Sequence, residues 1–133
     1  MINQFINDGF MKKKALLIVS VSLITVIAII FGMYYCFFVD ISRIRGQELI
    51  DISVSPNSTY TIEVFRNNGG ANTDYSVLCR LHYNNKNKKD RNIYWDYHCD
   101  TAEIEWLDDD TVIINGQQLD DVTKDKFDYR NDK

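Results

Sequence analysis

The residues best suited to chemistry in this 133-residue chain gather in one stretch, CRLHYNNKNKKDRNIYWDYHC, from Cys79 to Cys99. It holds two of the three cysteines and both histidines, His82 and His98. Thiolates and imidazoles bind zinc when four of them converge on a tetrahedron. Two cysteines that face each other across a hairpin can form a disulfide. A nucleophile beside a His–Asp pair can attack a carbonyl. Farther along, Glu103 and Glu105 fall on one face of a strand, about 7 Å apart from the strand rise, a spacing that paired-carboxylate glycosidases use. The solvated outer face of a half-buried strand explains them better. Asp108, Asp109 and Asp110 lack the D-x-D-x-D-G spacing of a calcium loop and read as a turn. NNGGAN has no Lys-Ser/Thr after it, so no phosphate loop is present. No catalytic, cofactor or metal set is complete at this level.

The elements that carry these residues decide which of them can meet. From Ile52 onward apolar side chains recur with period 2, the signature of half-buried strands. TYTIEVF puts Tyr60, Ile62 and Val64 on one face. YSVLCRLHY puts Tyr75, Val77, Cys79, Leu81 and Tyr83 on one face, and NIYWDYHC does so for Ile93, Trp95, Tyr97 and Cys99. AEIEWL turns Ile104 and Trp106 inward, and TVIIN is a further strand. SPNS and NNGGANT carry turn residues, and Asn115-Gly116 is a two-residue hairpin signal. In the polar tail from Asp120, Phe127 and Tyr129 are the candidate anchors.

A hairpin centred on Lys89 pairs Cys79 with Cys99, Arg80 with His98, His82 with Asp96, and Tyr83 with Trp95. In that register the odd face is apolar and the even face polar, and a one-residue slip would destroy the match. Both cysteines then share the core face, with both histidines on the opposite one. One sheet cannot bring ligands from its two faces to one ion, which weighs against zinc. A Cys79–Cys99 disulfide fits the spacing of opposed strand residues. Two buried thiols fit it as well.

The amino-terminal part is of another kind. ALLIVSVSLITVIAIIFGMYYCFFV, Ala15 to Val39, contains neither charge nor proline. As a helix it would reach about 37 Å, enough to cross a hydrocarbon core of about 30 Å with tilt. Tyr34, Tyr35, Phe37 and Phe38 suit an interfacial aromatic belt. The run is too long for the apolar region of a signal peptide, and bulky residues stand where a cleavage site needs small ones. Lys12, Lys13 and Lys14 precede the run, against Arg43 and Arg45 after it; this bias predicts a cytoplasmic amino terminus. The expected organisation is a tail over 1–14, a membrane helix over 15–39, a juxtamembrane linker over 40–51 and an extracytoplasmic β domain over 52–130. That domain is expected to be all-β, a meander or small sandwich of about six antiparallel strands.

Charge narrows the partners. With Lys12–Lys14 and Asp8 set aside, 12 basic and 18 acidic side chains remain. An acidic domain is a poor ligand for nucleic acid, which needs a concentrated basic face. The one basic run, Lys86 to Arg91, is flanked by asparagine and reads as a solvated loop tip. The partners expected are the bilayer and an envelope or cell-wall component.

Taken together, SPNSTYTI, NNGGANTDYSV, RNIYWDYH and IEWLDDDTVIING resemble a family of small membrane-anchored proteins of unknown function from Gram-positive, Bacillus-like bacteria. The resemblance covers about residues 52–130 together with the anchor, and implies a fold and a location but no activity. Cys79 and Cys99 fall outside its pattern. The function expected is an interaction or sensing module at the cell envelope. The alternative is an envelope enzyme using carboxylates or the His82–Asp96 pair.

Overall fold

The computed structural model of the chain describes residues 1–132, with the backbone alone at Val39. Two compact units divide between Asp40 and Ile41.

The first unit is helical. Helix α1 runs from Ile2 to Tyr34 and passes into a π-helical turn, Tyr35–Val39. Its 33 residues make a rod of about 50 Å, long and apolar enough to cross a membrane. No residue of α1 is buried. The three hydroxyls in the apolar run turn back on the helix: Ser20 donates to Leu16 O at 2.8 Å, Ser22 to Val19 O at 3.0 Å and Thr25 to Val21 O at 2.9 Å. Residues 2–14, expected as a tail, continue the same helix.

Among the described residues the second unit holds eight strands rather than about six. Strands β1 (Glu48–Val54), β2 (Tyr60–Asn68), β3 (Tyr75–Tyr83) and β4 (Arg91–Tyr97) form an antiparallel meander. A short strand from the tail, β8 (Phe127–Asp128), adds to β4 in parallel, so the sheet is not wholly antiparallel. A second sheet is made of β5 (Ile104–Trp106), β6 (Val112–Ile114) and β7 (Gln117–Leu119). Both sheets feed one buried cluster. Tyr60, Ile62, Val64, Val77, Cys79 and Leu81 come from the first, and Val112, Ile114 and Leu119 from the second. The β6–β7 hairpin turns on Asn115 and Gly116, at φ 47° and 81°, as a two-residue turn of this kind requires.

Two expectations need correction. The segment 40–51 is not simply a linker: Ile41–Arg43 is a 3-10 turn, and β1 begins at Glu48. The hairpin register is also different. Cys79 lies opposite Tyr94 and Arg80 opposite Asn92, so Ile93 is an extra residue in β4. This bulge sends both Ile93 and Tyr94 into the core. It also flips Trp95 and Tyr97 away from the face that strict alternation assigned to them. There Tyr129 packs against both rings, at 5.0 Å from Trp95 and 5.7 Å from Tyr97. Phe127 stacks on Tyr94 at 5.1 Å on the core side, so both expected tail anchors pack.

Ile114 is fully buried, whereas Ile52 on β1 is 53% exposed. Ile114→Ala should cost about 2–4 kcal/mol in urea unfolding of the detergent-solubilised chain. Ile52→Ala should stay within about 0.5 kcal/mol. Equal losses at the two positions would contradict this placement of the core.

Candidate functional site

The cluster between Cys79 and Cys99 disperses in three dimensions. Cys79 is fully buried between Val64 and Tyr94, its ladder partners. Burial pushes its thiol pKa far up, which holds it protonated and unreactive. Cys99 lies beyond β4, where its backbone N–H donates to Tyr75 O at 3.1 Å, four residues short of Cys79 along β3. Its Sγ donates to Thr101 O at 2.9 Å and accepts from Asn115 Nδ2 at 3.3 Å. Cys99 packs against the same core cluster, and burial raises its pKa too. Both are free thiols in the structure. The direct opposition that favoured a disulfide is absent because of the bulge.

The histidines find other partners. His82 Nδ1 is 2.7 Å from Asp90 Oδ1, and Asp96 instead accepts from the Tyr94 hydroxyl at 3.1 Å. Arg80 pairs with Glu63 at 2.8 Å rather than with His98. His98 Nδ1 is 2.9 Å from Asp74 Oδ2 at the other end of the hairpin. Tyr83 meets Tyr60, at 5.7 Å, rather than Trp95. His82 and Cys79 are three apart on one strand and point to opposite faces, so they form no Cys–His pair. Among the described residues, no three His, Cys, Asp or Glu side chains converge as metal ligands. Glu103 and Glu105 border a shallow depression shared with Ile113 and Gly116. Asp108 closes the expected turn, its Oδ1 accepting from Asp110 N at 2.8 Å and Thr111 N at 2.7 Å.

What the sequence reading missed is a surface. On the sheet face turned away from the core cluster, β1 presents Leu49, Ile52 and Val54 side by side, each about half exposed. The ladder sets Ile52 beside Glu63 and Val54 beside Thr61, and Glu63 beside Arg80. An apolar row thus borders the Glu63, Arg80, Asp90 and His82 charge network. ELIDISV carries the signal only in part: Ile52 and Val54 alternate, but the register shift turns Ile50 to the core side and brings Leu49 into the row. Leu49 lay in the segment expected as a linker. The free edge of β1 is guarded: Asp51 Oδ1 accepts from Ile52 N at 2.8 Å, and a register shift lies between Leu49 and Asp51.

The helix from Met11 onward and the β unit through Asp132 fall within one match, which spans residues 11–132. The chain belongs to DUF5412, a family of unknown function. No curated protein and no solved structure matches it. The DUF5412 match takes in the apolar run of the helix, Ala15 to Val39, and all eight strands described, so both units contribute to the family's sequence pattern.

Two predictions arise from this family member's side chains. Four carboxylates have pKa values held below the ordinary range: Asp74 chiefly by His98, Asp108 by the Asp110 N–H, Asp109 by the Thr59 hydroxyl, and Asp121 by the Thr123 hydroxyl. A depressed folded-state pKa stabilises above the unfolded value, and that contribution is lost as pH falls through the folded value. The urea midpoint should therefore drop between about pH 5 and pH 2, less steeply in Asp109→Asn. A midpoint that stays flat or rises on acidification would show these carboxylates to be unimportant. The second concerns the thiols. Alkylation of unreduced protein should leave Cys79 unlabelled when folded and label it when unfolded, whereas Cys99 should label in both states, faster than Cys79 when folded. Failure of both to label after unfolding would demonstrate a Cys79–Cys99 disulfide.

Proposed function

We propose that this chain is a single-pass membrane protein whose β unit lies outside the cell and serves as an interaction or sensing module at the envelope. One observation carries the anchor: α1 exposes its whole apolar surface while Ser20, Ser22 and Thr25 bond within the helix. A helix in hydrocarbon must satisfy its polar groups internally, and this one does. Lys12, Lys13 and Lys14 favour a cytoplasmic amino terminus, with the span over 15–39. The half-exposed row of Leu49, Ile52 and Val54 beside a charge network supports a contact surface for an envelope protein or cell-wall component. The depression beside Glu103 and Glu105 supports a second reading, an envelope enzyme acting on glycan through paired carboxylates.

Protease added to intact protoplasts of a Gram-positive host should remove a tag at the carboxyl terminus and spare one at the amino terminus. The reverse result would invert the topology, and a mature chain starting beyond Cys36 would replace the anchor by a cleaved signal. With a photo-crosslinking residue at Ile52, a discrete adduct should form in membranes, whereas the same residue at Lys88 should give none. Adducts at Lys88 alone would place the contact elsewhere. Glycan hydrolysis by the purified chain, lost in Glu105→Gln, would instead establish the enzyme.

A further inference from the structure

The segment between Ile41 and Gln47 lies on the sheet face opposite the core cluster, and its attachment is unlike that of any strand. Asn92 Nδ2 donates to Ile41 O at 2.7 Å and to Ile44 O at 2.9 Å. Asn67 Nδ2 donates to Arg45 O at 2.9 Å, and its Oδ1 accepts from Gln47 N at 2.8 Å. Asn68 N donates to Gln47 Oε1 at 2.9 Å. Gly46 approaches the Phe65 ring so closely that a Cβ there would collide with it. Beneath lie Phe65 and Leu78, ladder partners that are buried but stand outside the main cluster. Ile41 is the one buried side chain that the segment itself contributes.

Side-chain amides thus hold the backbone of this strap, in place of a ladder. Asn67 and Asn92 are themselves buried, so each amide is committed to the strap and would be left without these partners if it lifted. The neighbouring ladder is of another order: β2 and β3 pair without a break from Tyr60 opposite Tyr83 to Asn68 opposite Tyr75. Segments with few buried apolar contacts open at lower free energy than core strands, and as contiguous units.

We propose that residues 41–47 are a releasable clasp, which opens as a unit while β2, β3 and β4 stay paired. Closed, it joins the β unit directly to the residues that follow α1. Open, it frees seven residues of chain, adding up to about 25 Å of reach, and uncovers a groove floored by Phe65 and Leu78 with two amide side chains on its rim. The gain in reach rests on the anchor reading; the opening itself does not.

Hydrogen exchange on the full chain in lipid nanodiscs tests the clasp. The Ile44 and Gln47 amides should exchange at least about tenfold faster than the β2–β3 ladder amides. Asn92→Ala should accelerate them further with the ladder unchanged. Gly46→Ala, which pushes the strap off the Phe65 ring without emptying a polar site, should do the same. In both variants trypsin should cut after Arg43 or Arg45 sooner than in the parent chain. Strap and ladder exchanging at one rate in the parent, or accelerating together in both variants, would overturn the proposal and make the strap an inseparable part of the sheet. The amide readout is the same whether or not α1 spans a bilayer, so failure here is distinguishable from failure of the anchor.

Discussion

One extra residue in β4 governs how the β unit is assembled. With Ile93 bulged against the Cys79–Arg80 step of β3, Ile93 and Tyr94 both enter the core, and the residues that follow them in β4 change face. Asn92 is left on the opposite face, where it grips Ile41 and Ile44. Trp95 and Tyr97 are turned there too, and the tail folds over them through Tyr129 and Arg130, whose guanidinium lies 4.6 Å from the Trp95 ring. On the core side Tyr94 receives Phe127. Strap, tail and second sheet all meet a strand whose alternation this single insertion has reset. Removing the bulge would move Trp95 and Tyr97 into the core and Tyr94 out of it, a change no side chain nearby could absorb.

Polar side chains complete what a small core cannot. A unit of this size buries only about 60% of its unfolded surface, so loops must be held by other means. Arg91 illustrates this: its guanidinium donates to Val122 O, Lys124 O and Asp125 O at 2.7–3.1 Å, pinning the turn before β8. Asp128, almost wholly buried, is paired with Arg130 at 2.7 Å and accepts from Asn131. Asn115 sets the β6–β7 turn with its backbone, while its side chain accepts from Glu103 N and donates to Thr101 O. Asp109 bridges to the β1–β2 turn through Asn57 N. The bonds of Arg91, Asn115 and Asp109 join segments twelve or more residues apart, whereas those of Asp128 lock a local turn; buried polar groups paired in this way specify one arrangement among several of similar apolar content.

The two sheet faces therefore have different roles. One is closed by the second sheet over a shared apolar cluster. The other carries a charge network, an apolar row on the edge strand and an amide-held strap, all at or near solvent. Groups suited to recognition collect on this second face, whereas the residues that first drew attention, Cys79 above all, are enclosed in the first.

The sequence by itself determined what rests on composition and local period. A charge-free run from Ala15 to Val39 must be a long apolar helix, since nothing in it breaks one. Alternation around Ile62, Val77 and Ile114 determined strands and their inward sides, and Asn115-Gly116 determined a hairpin, because only a few residues accept positive φ at both central positions. The eight-stranded arrangement, the parallel β8 and the true register of β3 and β4 were decided only in three dimensions. A bulge costs one residue and leaves no mark in a pattern of period 2, so alternation read through Ile93 assigned Trp95 and Tyr97 to the wrong side. The strap was hidden for a related reason. Its partners, Asn67 and Asn92, are twenty or more residues away, and polar residues in a strand look solvated until the chain that they hold is folded over them. The same distance concealed Arg91, which reads as the end of a basic loop and proves to be the clamp on the tail.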